Sequence, residues 1–150
     1  MLRKREEEKK AVPRPVCSPI GIVHSPYKEK GSAPRQGRIA NDISELEIFP
    51  QFAEGLDGLF PGDDIFVLCW FDRSDRDVLK VPSRRDPTGE PRGVFSTRSP
   101  ARPNPISLTL VKLLEIRKTT LVVRGLEMLD GTPVLDIKPY CADIDSPDAA

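Results

Sequence analysis

The sequence predicts an all-β domain, mainly strands arranged as a barrel or a sandwich, with one short helix and long loops. Three observations lead to this fold class. Apolar residues alternate with polar ones in short runs, which is the period-two pattern of half-buried strands. The strand–helix–strand rhythm of a parallel α/β sheet is missing. Proline is frequent, with 16 residues in 150, and its fixed φ and missing N–H favour extended segments and turns over long helices.

The first half of the chain contains a tail, three predicted strands and the predicted helix. Residues 1–15 carry mixed charges and end in prolines, so we expect a flexible tail before a single domain at residues 16–150. A short extended run at 20–24, bracketed by prolines, predicts the first strand. The next elements are an alternating strand at 44–49, a short helix within 50–59 and a buried strand at 64–71, the most apolar run of the chain.

The second half begins with the least regular stretch and ends in three strands. Residues 72–92 are rich in charge and show little alternation, which predicts a long surface loop. Residues 106–110 alternate and predict a strand, with 119–123 as its hairpin partner. Asp130-Gly131 is a strong turn signal, and the alternating run at 134–140 predicts the last strand.

Composition limits the classes of partner. The formal net charge is zero, so any polyanion must meet a local basic patch instead of a global field. The chain has three cysteines, no CxxC pair, and His24 as its single histidine, so we expect neither a disulfide framework nor a metal site. The sequence shows no signal peptide and no apolar run long enough to span a bilayer. We therefore expect a cytoplasmic protein with no membrane partner.

The common catalytic signatures are missing. The sequence contains no GxSxG nucleophile elbow, no P-loop and no GxGxxG fingerprint. A Ser-His-Asp triad would need His24 as its only base, and a strand residue with a hydrogen-bonded ring is the more frequent role for such a histidine.

Four short clusters combine a residue that fixes the backbone with a strong donor or acceptor. They are SPYKEK followed by PRQ within 25–36, STRSPARPN at 96–104, LDGTP at 129–133 and DIKPY at 136–140. A proline restricts its neighbour, so an adjacent polar group is presented to a ligand at low entropic cost. This favours an anion- or nucleotide-binding face. Solvated loop arginines, an ordinary hairpin turn and a surface ion pair would give the same residues.

Taken in order, SPYKEK with PRQ, GVFSTRSPARPNPISL and LDGTPVLDIKPY resemble the TrmO family, also called TsaA-like or YaeB-like proteins. The resemblance runs from about Ile20 to Asp148. Members of this family are S-adenosylmethionine-dependent methyltransferases that modify the exocyclic amine of threonylcarbamoyladenosine beside the tRNA anticodon. The resemblance therefore implies a single β-barrel domain, a homodimer with the cofactor near its interface, and the tRNA anticodon loop as partner.

The resemblance also implies the residues of the site. Cofactor binding falls on Pro34, Arg35, Gln36, Asp72, Arg73, Arg98, Leu108, Met128, Leu129, Asp130, Gly131 and Thr132. Substrate binding falls on Tyr27, Lys28, Arg102, Asn104, Asp136, Lys138 and Tyr140. The chemistry of S-adenosylmethionine suits these groups. Arg98 or Arg35 would clamp its carboxylate, Asp130 would take the ammonium or the ribose diol, and apolar side chains at 108 and 128–129 would enclose the adenine.

Asp72, directly after the buried strand, is the candidate catalytic base. Bacterial members of the family read His-Gln where this chain reads Asp72-Arg73. Two alternatives therefore stay open, a methyltransferase of the same fold with another acceptor and a module that binds S-adenosylmethionine or RNA without turnover.

Recognition of tRNA by a neutral chain needs concentrated positive charge. The cations in or beside the predicted loops are Lys28, Lys30, Arg35, Arg38, Arg73, Arg76, Arg84, Arg85, Arg92, Arg98 and Arg102. If they gather on one face, a basic cleft forms. An adenosine in an anticodon loop is unpaired and can be splayed into a pocket. Tyr27 and Phe95 are candidate stacking partners for such bases, and core packing would serve Phe95 equally well.

Overall fold

A computed structural model of the chain describes residues 12–29, 41–82 and 88–148. The strands are β1 (Gly21–His24), β2 (Ile43–Ile48), β3 (Asp64–Cys69), β4 (Lys80–Pro82), β5 (Pro91–Gly93), β6 (Thr109–Arg117), β7 (Thr120–Arg124) and β8 (Pro133–Pro139). Two 3₁₀ helices span Pro50–Leu56 and Val94–Ser96, and a one-turn helix, α1, spans Ala142–Asp145. Residues 1–11 of the predicted tail lie outside the described ranges.

Six strands close into a barrel in the order β1-β2-β7-β6-β3-β8, and every neighbouring pair is antiparallel. Closure leaves no free sheet edge in the barrel. The predicted mainly β barrel with a short helix and long loops is therefore confirmed. The predicted helix is a 3₁₀ helix with a proline at its start, where no N–H is needed.

The core fills the inside of the barrel with the inward-facing half of each alternating strand. Among its fully buried members are Leu46, Ile65, Leu113 and Leu121, each with an exposed fraction of zero. Where β1 enters the barrel, a Cβ atom at Gly21 would collide with the backbone oxygen of Glu47 on β2. Only glycine allows this close approach of the two strands.

The structure differs from the sequence expectation in residues 72–92. This stretch holds the β4–β5 hairpin, in which Val81 pairs with Arg92, instead of an irregular loop throughout. Each of these strands has three residues and one ends in proline, so neither is long enough to show a two-residue alternation. No helix among the described residues is long and apolar enough to cross a membrane.

The three thiols should differ sharply in reactivity. Cys69 is fully buried, and burial raises the pKa of its thiol to about 12, whereas Cys17 is exposed and Cys141 is partly exposed. Because the thiolate is the reactive form, we expect iodoacetamide at neutral pH to label Cys17 and Cys141 in the native protein. Cys69 should be labelled only after denaturation. Peptide mass spectrometry measures this, and rapid native labelling of Cys69 would contradict the closed core.

Candidate functional site

One end of the barrel collects most of the predicted site residues that the structure describes. At this end β1, β3 and β7 finish while β2, β6 and β8 begin, since His24 pairs with Glu45 and Ile43 with Arg124. We call it the site end. The predicted residues found there are Lys28, Asp72, Arg73, Arg98, Leu108 and the Asp130 turn, residues 129–132.

The Asp130 turn is fastened to the segment that follows β1. The N–H of Asp130 donates to the carbonyl of Tyr27 at 2.7 Å, and the Ser25 N–H donates to Asp130 Oδ1 at 3.0 Å. Lys28 Nζ lies 3.1 Å from Asp130 Oδ2. The Ser25 N–H, followed by Lys28, lowers the pKa of the Asp130 carboxyl, so the group is anionic at neutral pH. Gly131 has a φ of 82°, which its lack of a Cβ permits.

Arg73 ties the chain after β3 to the same turn. Its Nη2 donates to the Asp130 carbonyl at 2.8 Å and to Thr132 Oγ1 at 3.3 Å. Its Nε lies 3.3 Å from Oδ1 of Asp72. Asp72 is exposed, and this contact holds its carboxylate beside the turn. The Asp72-Arg73 pair therefore links the end of β3 to the Asp130 turn.

The arginine loop, residues 96–105, is organised around Arg102. Its Nη1 donates to the carbonyls of Thr97 and Ser99 at 3.0 and 3.2 Å, and its Nη2 donates to the carbonyl of Val94 at 3.0 Å. A guanidinium that serves three carbonyls fixes the path of the backbone. The structure thus gives Arg102, predicted to bind substrate, a role in holding the loop.

Arg98 belongs to the same loop but points its side chain differently. It is exposed, and its Nη1 donates to the carbonyl of Leu108 at 3.1 Å. Around the start of β6 the polar side chains face inward and the apolar ones face outward. Ser107 and Thr109 are buried, whereas Ile106 and Leu108 are 41% and 44% exposed. Leu108 is therefore free to contact a ligand or a partner beside Arg98.

Three contacts at the site end were missed by sequence reasoning. The Arg76 guanidinium lies 5.1 Å from the centre of the Trp70 ring and donates from Nε to the Pro103 carbonyl at 3.0 Å. Ser25 Oγ donates to the Met128 carbonyl at 2.7 Å. Ser25 lies in the first quoted cluster and Arg76 in the predicted loop at 72–92, but no pattern indicated which residues they would contact. Asn104, predicted to bind substrate, is exposed in the arginine loop.

Tyr27 and Met128 are more deeply buried than the predicted roles suggest. Tyr27 is 9% exposed, its hydroxyl donates to Asp42 Oδ2, and burial followed by this contact raises its pKa to about 12. Met128 is 1% exposed and belongs to the core, so its side chain does not face the site end. Leu129, beside it, is partly exposed.

Three other predicted substrate residues lie along β8 and at its far end. Asp136 and Lys138 form an ion pair of 3.1 Å. Tyr140 donates its N–H to the Asp64 carbonyl and packs against Phe66, with ring centres 5.9 Å apart. Because β8 runs away from the site end, the structure does not bring Lys138 and Tyr140 together with the Asp130 turn.

Several predicted residues lie outside the described ranges, and they are Lys30, Pro34, Arg35, Gln36, Arg38, Arg84 and Arg85.

A cavity of about 330 Å³ at the site end is lined by His24, Ser25, Pro26, Lys28, Ile43, Ser44 and Glu45. A second cavity, of about 580 Å³, lies at the opposite end beside the 3₁₀ helix at Pro50–Leu56. In the described ranges, no group of three or more His, Cys, Asp or Glu residues is placed to hold a metal ion.

The chain is similar to proteins that are named for tRNA methylation or for binding S-adenosyl-L-methionine. The profile of the tRNA-methyltransferase O N-terminal domain matches residues 22–146. A probable S-adenosyl-L-methionine-binding protein of Methanothermobacter thermautotrophicus is 52% identical over 128 residues, which cover 85% of this chain and 91% of that protein. The mouse tRNA (adenine(37)-N6)-methyltransferase is 39% identical over 140 residues, which cover 88% of this chain and 32% of the mouse protein.

Solved structures agree with the fold. The crystal structure of TrmO from Pseudomonas aeruginosa superposes with a TM-score of 0.73 at 34% identity. The match covers 92% of this chain and 61% of that chain, so the present chain spans less than two thirds of its solved relative.

Proposed function

The chain belongs to the family of the tRNA-methyltransferase O N-terminal domain, and we propose that it is an S-adenosylmethionine-dependent tRNA methyltransferase whose acceptor is the exocyclic amine of threonylcarbamoyladenosine beside the anticodon. The observation that carries this proposal is the convergence of Arg98, Arg73 and the Asp130 turn at one end of the barrel. The mouse relative is named as a tRNA (adenine(37)-N6)-methyltransferase, which supports an adenine in tRNA as the acceptor. Such a substrate also supports a cytoplasmic location.

The groups at the site end suit S-adenosylmethionine. Arg98 uses one amino group on the Leu108 carbonyl and keeps further N–H donors for a carboxylate. Asp130 is anionic and would attract an ammonium or accept from a ribose hydroxyl. Leu108 and Leu129 offer partly exposed apolar surface for an adenine. Ser44 lines the cavity at this end, and its buried hydroxyl has no hydrogen-bond partner among the described residues.

The cofactor would supply a methyl carbon made electrophilic by its sulfonium. The chain has to hold the acceptor in line with that carbon and to exclude water. We propose that Oδ2 of Asp72 accepts the proton of the acceptor amine while Oδ1 stays bound to Arg73. The Arg73 contact with the Asp130 turn would keep that base in place beside the cofactor.

We also propose a homodimer. Outward-facing apolar side chains of β3 and of the chain at the start of β6 form one continuous strip that consists of Phe66, Leu68, Ile106, Leu108 and Leu110. Apolar surface of this kind marks an interface, and its position beside Arg98 would put the cofactor near the partner subunit. Sedimentation equilibrium should then give twice the 16.7 kDa mass of the chain.

The proposed reaction is tested by methyl transfer from radiolabelled S-adenosylmethionine into two tRNA pools. One pool carries threonylcarbamoyladenosine and the other lacks it. We expect label in the modified pool alone, because the amine of that nucleoside is the proposed acceptor. Label in both pools would contradict the specific acceptor and leave a broader tRNA methyltransferase.

A second candidate is a protein that binds S-adenosylmethionine and acts on another acceptor, or on none. Three curated relatives with 48–52% identity carry names that state cofactor binding alone. Tight cofactor binding by calorimetry with no label in either tRNA pool would favour this candidate.

A further inference from the structure

Phe95 is an aromatic side chain presented to solvent. It is 82% exposed, the highest value among the aromatic residues that the structure describes. It sits in the 3₁₀ helix Val94–Ser96, between the β4–β5 hairpin and the arginine loop. Core packing, one of the two roles expected for Phe95, is therefore wrong.

The backbone that carries Phe95 is held on both sides. Val94 is buried, its N–H donates to the Leu79 carbonyl at 3.0 Å, and its carbonyl accepts from Arg102 Nη2 at 3.0 Å. Ser96 Oγ donates to the carbonyl before the helix at 2.7 Å. The ring thus projects from a fixed frame, and its partner would bind without ordering a flexible loop.

The segment of chain that carries Phe95 has charges of one sign. Residues 91–111 contain three arginines and no acidic residue. Arg92 and Arg98 flank the ring in sequence and both are exposed. An exposed aromatic ring on a segment that also carries exposed arginines suits a planar base attached to a phosphate backbone. A second copy of the chain placed face to face here would set the exposed Arg92 and Arg98 of one subunit against those of the other.

We propose that Phe95 stacks on an unpaired nucleobase of the tRNA anticodon loop while Arg92 contacts the adjacent phosphate. This inference rests on the proposed function, because it assigns a contact to the same substrate. Phe95 lies next to the arginine loop, so a base stacked on it would fix the register of the anticodon loop relative to Arg98 and the Asp130 turn.

The test uses an anticodon stem-loop with 2-aminopurine at one loop position at a time, because stacking on an aromatic ring quenches 2-aminopurine fluorescence. With the wild-type chain we expect quenching at one position. Phe95→Ala should abolish it and raise the dissociation constant about tenfold, as expected for one lost base–aromatic stack. Phe95→Trp should preserve the quenching and the affinity. Phe95→Leu keeps apolar area without an aromatic face, so it should behave like Phe95→Ala.

Phe60→Ala is the matched control, since Phe60 is 66% exposed and precedes β3 at the opposite end of the barrel. It should leave quenching and affinity unchanged. Three results would each overturn the stacking contact. They are equal RNA affinity of Phe95→Ala and the wild type, no RNA binding by the wild type, and conversion of a dimer to a monomer by Phe95→Ala with unchanged quenching.

Methyl transfer by the wild type is measured separately, so the two proposals can fail independently. Quenching that depends on Phe95, without any methyl transfer, would support the stacking contact and overturn the proposed reaction. Methyl transfer with an unchanged RNA KM in Phe95→Ala would support the reaction and overturn the stacking contact.

Discussion

Replacing Arg102 with alanine should lower the free energy of unfolding by about 2–4 kcal/mol, since a hydrogen bond that involves a charged group contributes about 1.5–3 kcal/mol and neighbouring bonds are not additive. The change removes the donor to the carbonyls of Val94, Thr97 and Ser99 together. Thr97 Oγ1 still donates to the Val94 carbonyl, but the carbonyls of Thr97 and Ser99 lose their guanidinium donor, so the arginine loop should lose its fixed path. Urea denaturation followed by tryptophan fluorescence measures the loss, because Trp70 packs against Arg76 nearby.

Arg98→Ala is the matched control, because it makes the same change in the same loop at an exposed position. It should alter stability by no more than about 0.5 kcal/mol, as surface substitutions usually do. The loss of stability in Arg102→Lys should lie between the losses in Arg102→Ala and Arg98→Ala, since one ammonium cannot reproduce the planar fork of a guanidinium. A denaturation midpoint of Arg102→Ala equal to that of the wild type would contradict the structural role of Arg102.

The strand pattern was predictable because alternation is a local property. Residues 44–49 and 64–71 alternate or run apolar over enough positions to indicate a strand, and both segments contain strands of the barrel. The Asp130-Gly131 turn was predictable for the same reason, since the positive φ of residue 131 favours glycine. Barrel closure came from the family resemblance and not from the pattern.

The contacts of the site end were not predictable, because they join residues far apart in the chain. Arg73 meets the Asp130 carbonyl across 57 positions, and Ser25 meets the Asp130 carboxylate across 105. The pattern at 106–110 also did not show which side chains face the core. Alternation does not state which face is inward, and here the hydroxyls of Ser107 and Thr109 point into the barrel.

The two arginines of the arginine loop show how one motif divides structural and binding work. The sequence presents Arg98 and Arg102 alike, each beside small residues and prolines. In the fold, Arg102 is half-buried and turned to the backbone, whereas Arg98 is exposed and contacts the protein through one amino group. Loss of stability and loss of affinity should therefore separate between the two positions.

Arg98→Ala should raise the dissociation constant for S-adenosylmethionine about ten- to hundredfold. The estimate follows from the loss of about 1.5–3 kcal/mol for charge-assisted hydrogen bonds, with 1.4 kcal/mol for each factor of ten. In the wild type, the bond to the Leu108 carbonyl holds the guanidinium at the start of β6, so a carboxylate would meet a donor that is already oriented. Isothermal titration calorimetry measures the change.

The identity of the group that Arg98 holds can be tested with two ligands. S-adenosylhomocysteine keeps the amino-acid carboxylate, so its affinity should fall by the same factor in Arg98→Ala. 5′-Methylthioadenosine has the adenine and ribose but no carboxylate, so it should bind the variant and the wild type equally. Arg98→Lys should lose less than alanine, because it keeps the charge without the two-pronged geometry. An equal loss for both ligands would place Arg98 at the adenosine instead, and unchanged binding of S-adenosylhomocysteine would remove Arg98 from the site.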